Sequence, residues 1–167
     1  MEFKTQICTT REQSKRLLAM GLNPETADMH WHYTNSRSES LKWRLEPYRL
    51  TTRENFFGKI DRLAILQRKR TDGTPMTGDE VFEEIWGKDI PAWSLHRLIE
   101  LLPQHIHLDD YADTRYWLVI DPMKVIYKNS HSSWIYQCDE GGLYDKLINT
   151  IEWTIKNNHF NKEYLKQ

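Results

Sequence analysis

The spacing of apolar residues changes along this chain, and the change restricts the folds open to it. Between Thr51 and Pro103, apolar side chains recur three and four positions apart, which is the period of an amphipathic helix. Beyond Pro103 they gather in short continuous runs, such as Tyr116–Ile120, as they do in central strands. Helices grouped in the middle of a chain and strands grouped later favour an α+β fold over alternating βαβ units.

Capping signals predict about five helices. A threonine followed three residues later by Gln or Glu is a capping box, in which each side chain bonds the other residue's backbone N–H. This pattern begins three of the predicted helices, at Thr10, Thr51 and Thr77. Pro91 suits the first turn of a fourth helix, which ends before Pro103, and Gly141-Gly142 opens a long fifth helix.

Two groups of strands are also predicted. Alternating residues on either side of a polar loop predict a β-hairpin over residues 29–46, closed by Pro47. Three short apolar segments separated by turns predict a three-stranded antiparallel meander over residues 116–136. We therefore expect a single α+β domain over residues 1–167, with about five helices, an N-terminal hairpin and a C-terminal three-stranded meander followed by a long helix.

Composition excludes several classes of protein. The formal net charge of −1 argues against a globally basic nucleic-acid-binding protein. The two cysteines, Cys8 and Cys138, are too few for a disulfide scaffold or a four-thiolate zinc site. The apolar runs are too short for a membrane span or a signal peptide, so we expect a cytoplasmic protein without membrane contact.

Aromatic residues are expected to supply much of the apolar surface that the core buries. The chain has five Phe, seven Trp and eight Tyr, and each of these side chains buries a large apolar area. Trp86, Trp117 and Trp153 lie in apolar patterns and are predicted to be core residues. Trp31 and Trp43 fall in the predicted hairpin.

The small net charge conceals a strong asymmetry. Residues 42–70 hold nine basic residues against three acidic ones, whereas residues 71–110 hold nine acidic residues against two basic ones. Three interpretations remain open. The two segments offset each other's charge on solvated faces, or the basic segment meets phosphates of a ligand or a nucleic acid, or complementary patches join copies into a homo-oligomer.

The basic segment contains the predicted ligand site. Two arginines flank the end of the hairpin at Pro47, and exposed loops that follow rigid strands commonly carry binding residues. Two aromatic rings close to them are able to sandwich a base while guanidinium groups hold a phosphate. The predicted ligand-binding residues are Trp43, Arg44, Tyr48, Arg49 and Arg53. The alternative is that the arginines only pair with Glu46 and Glu54 at the surface.

Two His-x-His pairs are candidate metal ligands. The pairs are His30 with His32 and His105 with His107, and this spacing places both imidazoles of a pair on one face of a strand. Nearby aspartates, among them Asp109 and Asp110, are able to complete a zinc-type site. Alternation alone gives a second interpretation, in which Trp31 and Ile106 face the core and the histidines face water. We favour the second interpretation, so no metal is predicted.

Common catalytic motifs are missing from the sequence. It has no G-x-S-x-G elbow, Walker sequence, G-x-G-x-x-G or C-x-x-C. We therefore predict no catalytic residue and no cofactor, and expect a binding protein in preference to an enzyme.

Several strings together carry a family resemblance. They are Gln13–Gly21, Thr26–Met29, Pro91–Leu95, Leu101–Pro103 and Asn158–Leu165. With these strings the chain resembles a family of small proteins of unassigned function carried by phages, prophages and mobile elements of gut bacteria. The resemblance implies an accessory protein in the cytoplasm of the bacterial host that inhibits, sequesters or redirects a host component.

Taken together, these features predict capture of a small anionic, nucleotide-derived ligand to counter a host defence response. Three alternatives remain open. The first is an inhibitor or adaptor that binds a host protein through a charged face, and the second is a small metal-dependent hydrolase that uses the His-x-His pairs. The third is nucleic-acid binding through residues 42–70.

Overall fold

The computed structural model describes residues 6–34, 36–38, 41–47, 68–108 and 114–166. The fold is α+β, with helices and two antiparallel sheets. The chain divides into two compact units, which we call the hairpin unit (residues 28–92) and the meander unit (residues 1–27 and 93–167). That residues 1–167 form a single domain stays a prediction.

Four α-helices lie in the described part of the chain. They are α1 (Arg11–Ala19), α2 (Gly78–Trp86), α3 (Leu95–Leu101) and α4 (Leu143–Lys156). The capping boxes predicted at Thr10 and Thr77 are confirmed, since each threonine hydroxyl accepts from the backbone N–H three residues later and the reciprocal bond is present. The helix predicted from Thr51 lies outside the described residues. None of the described helices is long and apolar enough to cross a membrane.

The hairpin unit contains a three-stranded antiparallel sheet. Its strands are β1 (Met29–Tyr33), β2 (Trp43–Pro47) and β3 (Ile90–Ala92), in the order β2-β1-β3. The pairing of β1 with β2 confirms the predicted hairpin. Pro91 was predicted at the start of a helix, and this is wrong because it lies in β3. Proline is tolerated there because β3 is an edge strand, where a missing N–H removes no necessary ladder bond.

The meander unit contains a four-stranded antiparallel sheet. Its strands are β4 (His105–Leu108), β5 (Thr114–Ile120), β6 (Val125–Lys128) and β7 (Trp134–Cys138), paired in chain order. Strands β5 to β7 are the predicted meander. The fourth strand, β4, extends it at the β5 edge and buries Ile106.

Helix α4 covers one face of this sheet and supplies much of the core. Leu147, Ile148 and Ile151 of α4 are fully buried. On the sheet side, the Tyr136 ring stacks on the Trp153 ring with their centroids 4.6 Å apart. The inner face of the sheet is therefore the face that carries Tyr136.

Trp93 ties the N-terminal segment to the rest of the meander unit. Its side chain is fully buried, and its indole N–H donates to the Thr26 hydroxyl at 3.0 Å. Its backbone N–H donates to the Thr9 hydroxyl at 3.0 Å, and its carbonyl accepts from the Thr9 N–H at 2.8 Å. These bonds satisfy the polar groups that burial of the tryptophan takes from water.

The core prediction fails for one tryptophan. Trp86 and Trp153 are half-buried, but 48% of the Trp117 surface is exposed. Trp117 lies in a continuous apolar run, so its pattern resembled that of a strand buried on both faces. The sheet is covered by α4 on its inner face, and Trp117 lies on the opposite face.

Replacing Leu147 tests the assignment of the core. We expect Leu147→Ala to lower the free energy of unfolding by about 2–5 kcal/mol, because it removes buried methyl groups and leaves a cavity. Urea unfolding followed by circular dichroism measures the change. The matched control is Met123→Ala, at a side chain that is 74% exposed, and it should change stability by at most about 0.5 kcal/mol. Equal effects of the two changes would contradict the assignment.

Candidate functional site

The sheet of the hairpin unit gathers imidazoles and carboxylates on one face. Because strand residues alternate between faces, His30 and His32 share a face of β1 that Trp31 does not. Across the β1–β2 pair, His30 lies opposite Glu46 and His32 lies opposite Arg44. On the other side of β1, Asp89 immediately precedes β3.

Asp89 orients the His32 imidazole. The His32 Nδ1 lies 2.9 and 3.0 Å from the two oxygens of the Asp89 carboxylate. The backbone N–H of Tyr33 also donates to this carboxylate, at 3.0 Å. A neutral imidazole held in this way keeps its proton on Nδ1, which leaves Nε2 as a hydrogen-bond acceptor.

His30 is the most buried polar residue of this face. Its side chain is 8% exposed, and its Nε2 lies 3.7 Å from a carboxylate oxygen of Glu46 and 3.7 Å from one of Asp89. The interpretation that Trp31 faces the core and the histidines face water is therefore wrong for this pair. Burial of an imidazole is tolerated here because carboxylates on both sides of β1 interact with it.

The second His-x-His pair follows simple alternation. Ile106 is buried, while His105 and His107 are exposed. Within the described ranges, no group of three or more His, Cys, Asp or Glu side chains is arranged to hold a metal ion. Asp109 and Asp110, the predicted companions of this pair, lie outside those ranges.

A cleft opens beside His32. Its volume is about 270 Å³, and it is lined by His32, Tyr33, Thr34, Arg68, Glu84 and Ile85. Arg68 donates from Nη1 to a Glu84 carboxylate oxygen at 2.8 Å. The Lys88 ammonium lies 4.6 Å from the centre of the Tyr33 ring, which is cation–π distance.

Two of the five predicted ligand residues are described, and both lie next to the residues of this cleft. The Trp43 ring meets the Tyr33 ring edge-to-face, with centroids 5.0 Å apart. Arg44 is exposed and lies opposite His32 in the strand register. The other three predicted residues, Tyr48, Arg49 and Arg53, lie outside the described residues.

Asp89 and Lys88 were not predicted as site residues, and Arg68 was predicted only as one of the nine basic residues of segment 42–70. Asp89 joins the histidines through the pairing of β3 with β1, and the segment around Pro91 was assigned to a helix. Arg68 and Lys88 belong to segments that are distant from the hairpin along the chain. No local pattern connects such positions, since only the strand register and the course of the chain bring them together.

The basic and acidic segments offset each other's charge where both are described. Arg68 pairs with Glu84, and Arg70 forms two hydrogen bonds with Glu80, at 2.9 and 2.7 Å. The Arg70 side-chain bonds lower the pKa of Glu80 to about 2, and the bond from the Thr77 N–H adds to the effect. At these positions the charge asymmetry is therefore at least partly internal pairing.

Comparison with protein-family models, curated proteins and solved structures finds no match to this chain. The resemblance to a phage-borne family therefore stays a prediction.

The role of Asp89 is testable by substitution. We expect Asp89→Ala to lower the free energy of unfolding by about 1–3 kcal/mol, because the His32 Nδ1–H and the Tyr33 N–H lose their acceptor. In nitrogen-15 NMR of the wild type, the neutral His32 ring should carry its proton on Nδ1. The control, Asp139→Ala, changes an exposed carboxylate that follows β7. A wild-type proton on Nε2 would be incompatible with the orientation described.

The Arg70–Glu80 pair predicts a pH effect of defined sign. Because the folded state holds the pKa of Glu80 below its ordinary value of 4.5, the pair stabilises the fold above pH 4.5 and this contribution disappears as the pH falls towards about 2. Carbon-13 NMR titration of the Glu80 carboxyl should show the low midpoint. Arg70→Gln should move the midpoint upward, whereas Arg16→Gln should not. A wild-type midpoint near 4.5 would show that the pair does not form in solution.

Proposed function

We propose that the hairpin unit binds a small phosphate-bearing ligand with an aromatic base, a molecule of nucleotide type, in the cleft beside His32. The observation that carries this proposal is the composition of the cleft wall. The wall combines an oriented imidazole, a guanidinium, a hydroxyl and an aromatic ring, and it encloses a volume of about 270 Å³. Ligand sites generally combine a few fixed polar groups with apolar or aromatic walls.

Arg68 is the proposed phosphate ligand. Its guanidinium carries five N–H donors in a planar fork, and the bond to Glu84 uses Nη1. The remaining donors suit a phosphate, because guanidinium–phosphate hydrogen bonds are charge-assisted and often bidentate. Glu84 then holds the guanidinium in position and does not compete for all of it.

Aromatic and imidazole groups contact the base of the proposed ligand. Tyr33 lines the cleft, and Trp43 supports its ring from the edge. Lys88 over the Tyr33 ring adds positive charge beside a phosphate-bearing ligand. With its proton held on Nδ1 by Asp89, His32 offers Nε2 to an N–H of a base or to a ribose hydroxyl.

Capture is the proposed outcome of binding. The sequence carries none of the common nucleophile or phosphate-transfer motifs, and the phage-type resemblance favours sequestration of a nucleotide-derived signal of a host defence response. A second candidate, acid–base hydrolysis of the same ligand, is favoured by the His32–Asp89 pair. A carboxylate that orients an imidazole is also the arrangement of a general base.

Calorimetric titration tests the binding. The full chain at about 100 µM, a concentration suited to weak sites, is titrated with inorganic phosphate, adenosine monophosphate and a cyclic dinucleotide. We expect a nucleotide to bind more tightly than phosphate. Arg68→Ala should weaken nucleotide binding at least tenfold, because it removes a charge-assisted contact. Absence of binding for all three probes would rule out the proposed function.

A matched control separates the site from general charge effects. Arg16→Ala also removes an exposed arginine, one that pairs with Glu152 in the meander unit, and it should leave nucleotide affinity unchanged. Phosphorus-31 NMR of the bound mixture distinguishes the two candidates. A spectrum that stays constant supports capture, and new phosphorus signals that depend on His32 support hydrolysis.

A further inference from the structure

The outer face of the meander sheet carries a row of exposed side chains that the proposed function does not use. Strand register places one residue from each of the four strands in line. We call these residues the outer row: His105, Trp117, Lys128 and Trp134. Trp117 is 48% exposed and Trp134 is 61% exposed, and His105 and Lys128 are exposed as well.

We propose that the outer row is a binding surface for single-stranded nucleic acid, with bases stacked on Trp117 and Trp134 and the phosphate backbone held by Lys128. Unpaired bases stack readily on exposed aromatic side chains, and cations beside such rings hold the phosphates. This site shares no residue with the cleft of the hairpin unit. It also differs from the basic segment 42–70, which the sequence offered as a nucleic-acid surface.

The order and spacing of the side chains in the outer row suit single-stranded nucleic acid. Lys128 lies directly between the two tryptophans, and the strand spacing separates the backbones of Trp117 and Trp134 by about 10 Å. Two neighbouring bases of a single strand would stack on the two indoles, and the phosphodiester that joins them would then lie beside the Lys128 ammonium. The His105 ring lies 5.2 Å from the Trp117 ring and extends the aromatic surface to the edge strand.

A bulge brings Trp134 into the row. Tyr127 pairs with Tyr136, so regular alternation would place Ile135 opposite Lys128 and turn Trp134 to the inner face. The register shifts between Tyr127 and Lys128, and Trp134 is the residue that pairs with Lys128. Bulges commonly redirect a side chain next to a functional site. The exposure of this large indole therefore follows from a specific backbone feature.

The charged side chains on this face favour binding of single-stranded nucleic acid, which is anionic. A second register pair, His107 opposite Arg115, lies on the same face, and both residues are exposed. The side chains of the outer row and of this pair are two permanent cations, two indoles and two imidazoles, and none is acidic. The surface is limited in extent, because Ile126, which precedes Lys128 by two residues on the same face, is buried.

Fluorescence anisotropy with labelled oligonucleotides tests the proposal on the full chain. The probes are an oligouridylate and an oligothymidylate of about ten nucleotides, a length that covers one such surface, with a duplex of equal length as the comparison. We expect the single strands to bind at low salt and the duplex to bind at least tenfold more weakly. Trp117→Ala and Trp134→Ala should each weaken binding about tenfold, the effect of one lost stacking contact.

Further variants distinguish stacking from loss of structure. Trp117→Phe keeps an aromatic face and should retain most of the affinity, whereas Met123→Ala, at the exposed turn between β5 and β6, should retain all of it. Lys128→Gln should reduce the slope of log affinity against log salt by about 0.7, the value for one phosphate contact on a single strand.

Three results would overturn the proposal. The first is failure of both single strands to bind, which would instead favour a protein partner on this face. The second is equal binding of the duplex, and the third is unchanged affinity in a folded Trp117→Ala, Trp134→Ala double variant. Circular dichroism of each variant establishes that it is folded.

Discussion

In a β-sheet, cross-strand pairing brings the side chains of neighbouring strands into rows on one face, and both candidate sites of this chain include such a row. In the hairpin unit, pairing of β1 with β2 and β3 brings Glu46 and Asp89 to the two histidines. In the meander unit, pairing of four strands aligns His105, Trp117, Lys128 and Trp134. A slip of one residue in either register would turn these side chains to the opposite face.

Both rows depart from the usual division of a sheet into an apolar inner face and a polar outer face. Burial of His30 requires polar partners, and carboxylates on both sides of β1 supply them. Exposure of two indoles leaves apolar surface in water, which folded proteins generally retain at sites that bind something. Departures of this kind commonly occur at functional sites, since the fold alone does not require them.

Local signals predicted the elements well. The capping boxes at Thr10 and Thr77, the hairpin and the meander are all present, because each depends on interactions within a few residues along the chain. Pro91 was misassigned because proline suits both a helix start and an edge strand, and only tertiary pairing distinguishes them. Trp117 was misassigned because a continuous apolar run does not show whether one face of a strand or both faces are covered.

The candidate sites were predictable only in part. Residues carried by the hairpin, His30, His32, Trp43 and Arg44, were identified as candidates from their local pattern. Asp89 and Arg68 could not be found in this way, because their place in the site depends on strand register and on contacts between distant segments. Trp134 depends on a bulge whose position no sequence signal marked.

In this structure His30 of β1 is covered, while the tryptophans of the outer row are open to water. Hydroxyl-radical footprinting with residue-level mass spectrometry measures both in one experiment. The structure predicts fast oxidation of His105, Trp117 and Trp134, and slow oxidation of His30 and of the fully buried Trp93. Oxidation of His30 as fast as that of His105, or protection of Trp117 equal to that of Trp93, would contradict the assignment of faces on which both sites depend.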